Sequence, residues 1–207
     1  MITKTLTDIE KKEEIFKDRE ELYSHILSIR ERADYIRAVK KAPRFPFNYI
    51  THFKSRRGNR YTIIVTPTDK KRGGLENPLF SVYTKLTTEE GDYILRYDMV
   101  YKHVIIFTPH FFSRYRERYL KAENLTAGEV IDTFTKRNFN VANSKKEGEE
   151  YIGTCKDGYI HLREKDKGVS VAVTFIGFDT LSRWKKEETG SLLEVIKRHE
   201  DYVTVNK

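Results

Sequence analysis

Ile15, Leu22, Ile26, Ile29, Ala33 and Ile36 recur at near-helical spacing, with charged residues between them. That period traces one face of an α-helix, because about 3.6 residues complete a turn. Tyr23 and Leu27 widen the stripe. Thr7 followed by Glu10 is a capping box, in which two side chains satisfy N–H groups that the first turn leaves open. The pattern predicts one long helix, beginning after Thr7 and ending near Lys40 and Lys41, ahead of Pro43. Its apolar stripe suits a core-packing face or a homodimer face.

From Tyr61 onward the pattern changes to short β-branched and alternating runs. Residues 61–66, 79–86, 93–97 and 104–107 read as strands joined by short turns, which points to an antiparallel sheet. Thr108-Pro109 starts a helix, with Thr as its cap and Pro at its first position. Thr126 and Glu129 form a second capping box ahead of Val130, Ile131 and Phe134. A β-meander follows. Residues 150–155 and 159–163 meet across Lys156-Asp157-Gly158, where Asp-Gly predicts a hairpin tip with glycine at positive φ. Asp166-Lys167-Gly168 then turns into a strand over 169–176, and a helix over 191–199 closes the chain. The fold class is α+β: a long N-terminal helix, then an antiparallel β-sheet with helices packed on it. One compact domain is expected, with 1–41 as a helical N-terminal extension and 42–207 as the α+β domain.

Strand parity assigns faces. Val169, Val171, Val173 and Phe175 share one side of the last strand and are expected in the core, with Ile160 and Leu162. Ser170, Ala172 and Thr174, and on the neighbouring strand Tyr159, His161 and Arg163, then share the open side.

Charge adds a second layer. The 207 residues carry 39 Lys and Arg against 31 Asp and Glu, a net charge of +8. Residues 41–72 hold nine basic side chains and one acidic, and residues 109–121 hold four and one. Such concentration marks a polyanion contact rather than an evenly solvated surface. Between Pro43 and Arg60, Phe45, Phe47, Tyr49, His52 and Phe53 interleave with Arg44, Lys54, Arg56, Arg57 and Arg60. Aromatics among cations are what base stacking plus phosphate neutralisation require. The competing reading is a linker whose Phe side chains tuck into a core.

Composition then narrows the classes. The single cysteine, Cys155, excludes an internal disulfide framework and a Cys-rich zinc module. It is expected as a small buried apolar residue in a reducing, cytoplasmic setting. No apolar leader opens the sequence and no run is long enough to cross a bilayer, so export and membrane partners are not expected. No dinucleotide fingerprint, phosphate-binding Gly-Lys loop or His-Glu-x-x-His motif occurs, so neither cofactor nor metal is expected.

The sharpest chemistry lies after Pro109. His110, Arg114 and Arg118 are spaced i, i+4 and i+8, which on a helix makes one stripe of like charge. Such a stripe costs stability unless an anion is meant to lie there. The positive end of the helix dipole favours a neutral, basic His110. A neutral imidazole beside guanidinium groups suits proton abstraction and phosphorane stabilisation. The bland alternative is a basic solvated helix with Phe111, Tyr115 and Tyr119 packed inward.

The order Thr108-Pro109-His110, Arg114, Arg118, a capped helix and then a meander ending in Val173-Thr174 resembles the BECR-fold ribonucleases. That superfamily unites barnase, EndoU, colicin ribonucleases and RelE-type toxins. The resemblance spans residues 104–178, the expected nuclease core; the insertion at 143–148 and the long N-terminal part depart from the minimal toxins. It implies a metal-independent, toxin-like endoribonuclease with His110, Arg114, Arg118 and Thr174 in catalytic or phosphate-binding positions. His161 would complement His110 in acid–base work. Thr174 and Arg163 would orient the phosphate, and Arg44, Lys54, Arg56, Arg57 and Arg60 would hold the rest of the RNA. The partners are then RNA and a protein inhibitor or antitoxin. Two other classes compete: a non-catalytic nucleic-acid-binding protein, and an oligomerising protein built on the Ile15–Ile36 stripe.

Overall fold

The computed structural model describes residues 1–138, 141–143 and 149–178. The helix expected at 191–199 and most of the insertion at 143–148 lie outside the described residues. The class is α+β, with helices and antiparallel strand pairs in each of two compact units, Met1–Ile105 and Ile106–Lys207. No helix among the described residues is long and apolar enough to cross a membrane.

In the first unit the expected long helix is three: α1 (Asp8–Lys17), α2 (Arg19–Ile29) and α3 (Ala33–Lys41). The capping box of Thr7 and Glu10 starts α1 in full. Asp18 ends it. Aspartate is a poor interior helix residue because its carboxylate competes for nearby polar groups. Here the carboxylate turns inward, 1 % exposed, and accepts from Asn59 Nδ2 and Tyr61 Oη, each at 2.7 Å. The second break, at 30–32, is a tight turn with three-residue backbone bonds from Arg30, Glu31 and Arg32. It shifts the buried face: α3 buries Tyr35 and Val39, while Ala33 is exposed. Ile15, Leu22, Ile26 and Ile29 are buried within this unit, and Tyr23 and Leu27 remain exposed. Residues 1–41 fall within the first unit, Met1–Ile105.

Four strands follow: β1 (Tyr49–Lys54), β2 (Arg60–Thr66), β3 (Leu79–Thr88) and β4 (Gly91–Asp98), each antiparallel to the next. Strand β1, within the aromatic and basic stretch, was not legible as a strand. Phe53 and Tyr61 are paired across β1 and β2 and face the helices, where His25 of α2 stacks on Phe53 at 4.5 Å. Burial lowers the pKa of His25, with the Arg32 charge adding to it, and burial likewise lowers that of His103. Both fold as neutral imidazoles, and the unfolded chain takes up protons more readily. Their stabilisation is therefore complete above pH about 6.5 and is lost as pH falls from there. Thermal midpoints should drop between pH 7.5 and 5.5, and His25→Phe, which keeps the stack, should flatten the drop. A midpoint indifferent to pH over that range would remove both histidines from the account.

Strand β5 (His103–Phe107) crosses the boundary between the units. The second unit continues with α4 (Pro109–Tyr115), a π-type turn (Arg116–Leu120), α5 (Ala127–Arg137), β6 (Ala142–Asn143), β7 (Glu150–Cys155), β8 (Gly158–Asp166) and β9 (Val169–Gly177). Thr108 caps α4 with Pro109 at its first position, and Thr126 and Glu129 cap α5 as a full box. Strands β6 to β9 are antiparallel in sequence order. Phe111 and Tyr115 of α4 lie edge-on to Phe175 of β9, at 6.2 and 5.0 Å between ring centres, and both meet Phe134 of α5. Edge-to-face pairs of this kind add about 0.5–1.5 kcal/mol each beyond area burial. They fix the side of β9 on which α4 lies: the side of Phe175 and its partner Ile160.

Strand parity fails over part of β9, and a bulge is the reason. A β-bulge shifts the register between His161 and Leu162, so that His161 faces Thr174 but Leu162 faces Ala172. The extra residue, Val173, flips the parity of Ala172, Val171 and Ser170, while Val169, beyond a second shift between Glu164 and Asp166, is fully buried as expected. Ala172, expected on the open side, is fully buried, while Val171 and Val173, expected in the core, are half-buried. Ser170 is also buried, its Oγ accepting from Tyr151 Oη at 2.6 Å. Tyr159 is buried against Phe178 rather than open. The Asp157-Gly158 hairpin is present, with Cys155 paired to Gly158, but Gly158 does not take positive φ. It is glycine for space: a Cβ there would lie 2.5 Å from Phe175 and 2.7 Å from the Ile176 carbonyl. Cys155 is buried, as its class suggested.

Candidate functional site

On α4, His110 projects from the second position of the helix and is exposed. The stripe predicted from it does not persist. The π-type turn at Arg116–Leu120 winds more widely than an α-helix, so the i+8 position leaves the line. Arg118 folds back to donate to the Phe175 carbonyl at 2.6 Å. Arg114 pairs with Glu117 at 2.6 Å, which also holds the Glu117 carboxyl below its usual range. Both guanidinium groups therefore have partners in the unit.

His161 and Thr174 are directly opposed on β8 and β9. Directly opposed residues of an antiparallel pair share a face. Their face is the one away from Phe175 and Ile160, hence away from α4. The structure brings His161 and Thr174 together, and it sets His110, Arg114 and Arg118 on the helical side of the sheet. One active centre using both sets does not form in this geometry.

A different neighbour completes the His161 side. Glu150, at the start of β7, pairs with Arg163 in register and so joins the same face. Its Oε2 lies 3.2 Å from His161 Nε2. Its Oε1 accepts from Arg163 Nε at 2.9 Å and Nη2 at 2.6 Å. The Arg163 hydrogen bonds, with a smaller contribution from His161, hold the Glu150 carboxyl below its usual range, so it is ionised at neutral pH. The side chains of His161, Glu150 and Arg163 are 23 %, 50 % and 45 % exposed, open to a ligand from solvent. A carboxylate base, an imidazole and a guanidinium thus lie within one hydrogen-bonded cluster, with a hydroxyl across the strand. Sequence reading passed over Glu150 because it lies eleven residues from His161 and only strand register joins them.

The five basic residues expected to hold RNA divide into kinds. Arg57 is structural: it donates to Glu14 at 2.7 Å and lies 3.8 Å from Asp18. With Lys17 and the chain's amino group it holds the Glu14 carboxyl far below its usual range. Arg44 and Arg56 are exposed. Lys54 and Arg60 are exposed and directly opposed on β1 and β2.

No family model, curated protein or solved structure matches the chain.

Proposed function

We propose that the chain is a metal-independent endoribonuclease whose centre is Glu150, His161 and Arg163 on the face of β7–β9 turned away from α4. The observation that carries this reading is Glu150 held between His161 and Arg163, with Thr174 opposite the imidazole. In the proposed step the RNA 2′-hydroxyl gives its proton to Glu150 and its oxygen attacks the adjacent phosphorus. The bond from phosphorus to the 5′-oxygen breaks, and protonated His161 supplies the proton that this oxygen takes. A 2′,3′-cyclic phosphate and a free 5′-hydroxyl result. Arg163, whose planar fork matches two phosphate oxygens, exchanges Glu150 for the phosphate and stabilises the charge that builds there. Thr174 offers a further hydrogen bond. This keeps the reaction class implied by the BECR-fold resemblance and moves the chemistry from α4 to the strands. The partners that go with it are RNA and, for a toxin-type enzyme, a protein inhibitor, in the cytoplasm.

Cleavage of a mixed RNA pool in excess chelator, followed by end-group analysis, tests it. Cyclic phosphate ends and resistance of a strand with 2′-deoxyribose at the cut site are expected. Cleavage of DNA, or loss of activity on chelation, overturns the mechanism. A second reading, a non-catalytic nucleic-acid-binding protein, is favoured by the opposed cations Lys54 and Arg60; binding without cleavage would select it.

A further inference from the structure

The register of the first unit gathers a second polar cluster. His52 and Lys54 of β1, Thr62 and Arg60 of β2, and Lys85 and Thr87 of β3 fall on one face, opposite the one that carries Phe53 and Tyr61. Together with Phe53 and Tyr61, they line a groove of about 650 Å³. Two features of it are costly for a surface without a ligand, and a third orients a further cation there. Lys54 and Arg60 oppose each other directly, and like charges so placed destabilise a sheet. Neither side chain has a carboxylate partner among the described residues, whereas Arg32, Arg57, Arg137 and Arg163 all do. Lys85 is held at the groove by Asp92, 2.6 Å away and itself fixed by a hydrogen bond from Thr87 at 2.7 Å. A third cation is therefore pre-oriented beside two that repel each other. His52, exposed, is in contact with Thr62 Oγ1 at 3.3 Å and offers an imidazole ring on the same face.

We propose that this groove binds the phosphodiester backbone of single-stranded nucleic acid, with Lys54 and Arg60 straddling a phosphate, Lys85 reaching the next, and His52 as a platform for a base. Alternating cations with an exposed ring is the chemistry that a flexible strand meets best, and the groove is of small-ligand size rather than duplex size. A phosphate between Lys54 and Arg60 turns their repulsion into a shared contact. The groove belongs to the first unit and the Glu150 centre to the second, and the proposal holds whether or not that centre cleaves.

The test uses the full chain and a fluorescent, uncleavable 2′-O-methyl 12-mer, with anisotropy read across a salt series. Lys54→Ser with Arg60→Ser is expected to weaken binding at least tenfold. The slope of log affinity against log salt should become shallower by about 0.7, since the two cations share one phosphate and each phosphate neutralised on a single strand contributes about that much. The thermal midpoint should hold or rise, because the opposed charges are relieved. Arg57→Ser, which removes a structural pair, should lower the midpoint and leave the slope. Inorganic tripolyphosphate should compete only at concentrations far above those of the strand. An unchanged affinity and slope in the double variant overturns the proposal. So does tripolyphosphate competing as well as the strand, which would make the groove a site for free polyphosphates.

Discussion

His161→Ala is expected to lower the rate of RNA cleavage by about 10²–10⁴, the range of a general acid or base removed from its place. Glu150→Gln should cost a similar factor. The amide keeps the size of the side chain and accepts from Arg163, but it cannot take the 2′-hydroxyl proton. His110→Ala should leave the rate within a few-fold of the parent, because His110 lies on the helical side of the sheet. These three variants, measured together, decide between the two placements of the chemistry. A large loss in His110→Ala with little in Glu150→Gln would return the centre to α4. Arg163→Lys adds a check on role: a point charge cannot bridge two phosphate oxygens as a guanidinium does, so the rate should fall while binding of an uncleavable strand changes less.

Much of the chain was legible because local signals and tertiary demands agree. Both capping boxes, the Thr108-Pro109 helix start and the Asp157-Gly158 hairpin form where the residues ask for them. The N-terminal helices were misjudged where one residue serves a distant partner. Asp18 breaks the apolar stripe because its carboxylate bonds Asn59 and Tyr61, over forty residues away, and no local pattern carries that. On β9, parity gave the right face for Thr174 and the wrong one for Val171, Ala172 and Val173. A one-residue bulge inverts the alternation and leaves no mark in a run of β-branched residues. The proposed site follows the same logic. His161 and Arg163 were visible as an i, i+2 pair, while Glu150 becomes their neighbour only through the pairing of β7 with β8. The π-type turn after Tyr115 likewise undid a stripe that ideal α-helical spacing required.

Asp157→Ala should be among the most damaging single changes to the second unit. Its sequence signal is that of a turn former, yet the residue is 2 % exposed and its carboxylate joins the hairpin to both helices. It accepts from Tyr115 Oη at 2.6 Å, from Asn138 Nδ2 at 3.0 Å and from Arg137 Nη2 at 2.8 Å and Nε at 2.9 Å. Burial pushes its pKa up, but the bonds from Arg137, Tyr115, Asn138 and Tyr119 outweigh that and hold it below the usual range. Burial and the bond to Asp157 in turn raise the Tyr115 hydroxyl well above its own. Alanine leaves the Tyr115 hydroxyl and the Asn138 amide buried without that acceptor, at about 1–3 kcal/mol each. Arg137, whose side chain is 41 % exposed, turns to water and adds little. The expected loss is therefore about 2–6 kcal/mol, which for a unit near 100 residues lowers the thermal midpoint by roughly 10–30 °C. Breaking the exposed Arg114–Glu117 pair should change stability by less than about 1 kcal/mol. Calorimetry on the two variants separates a buried junction from a surface pair. Equal midpoints would mean that the second unit does not depend on the Asp157 carboxylate for its packing.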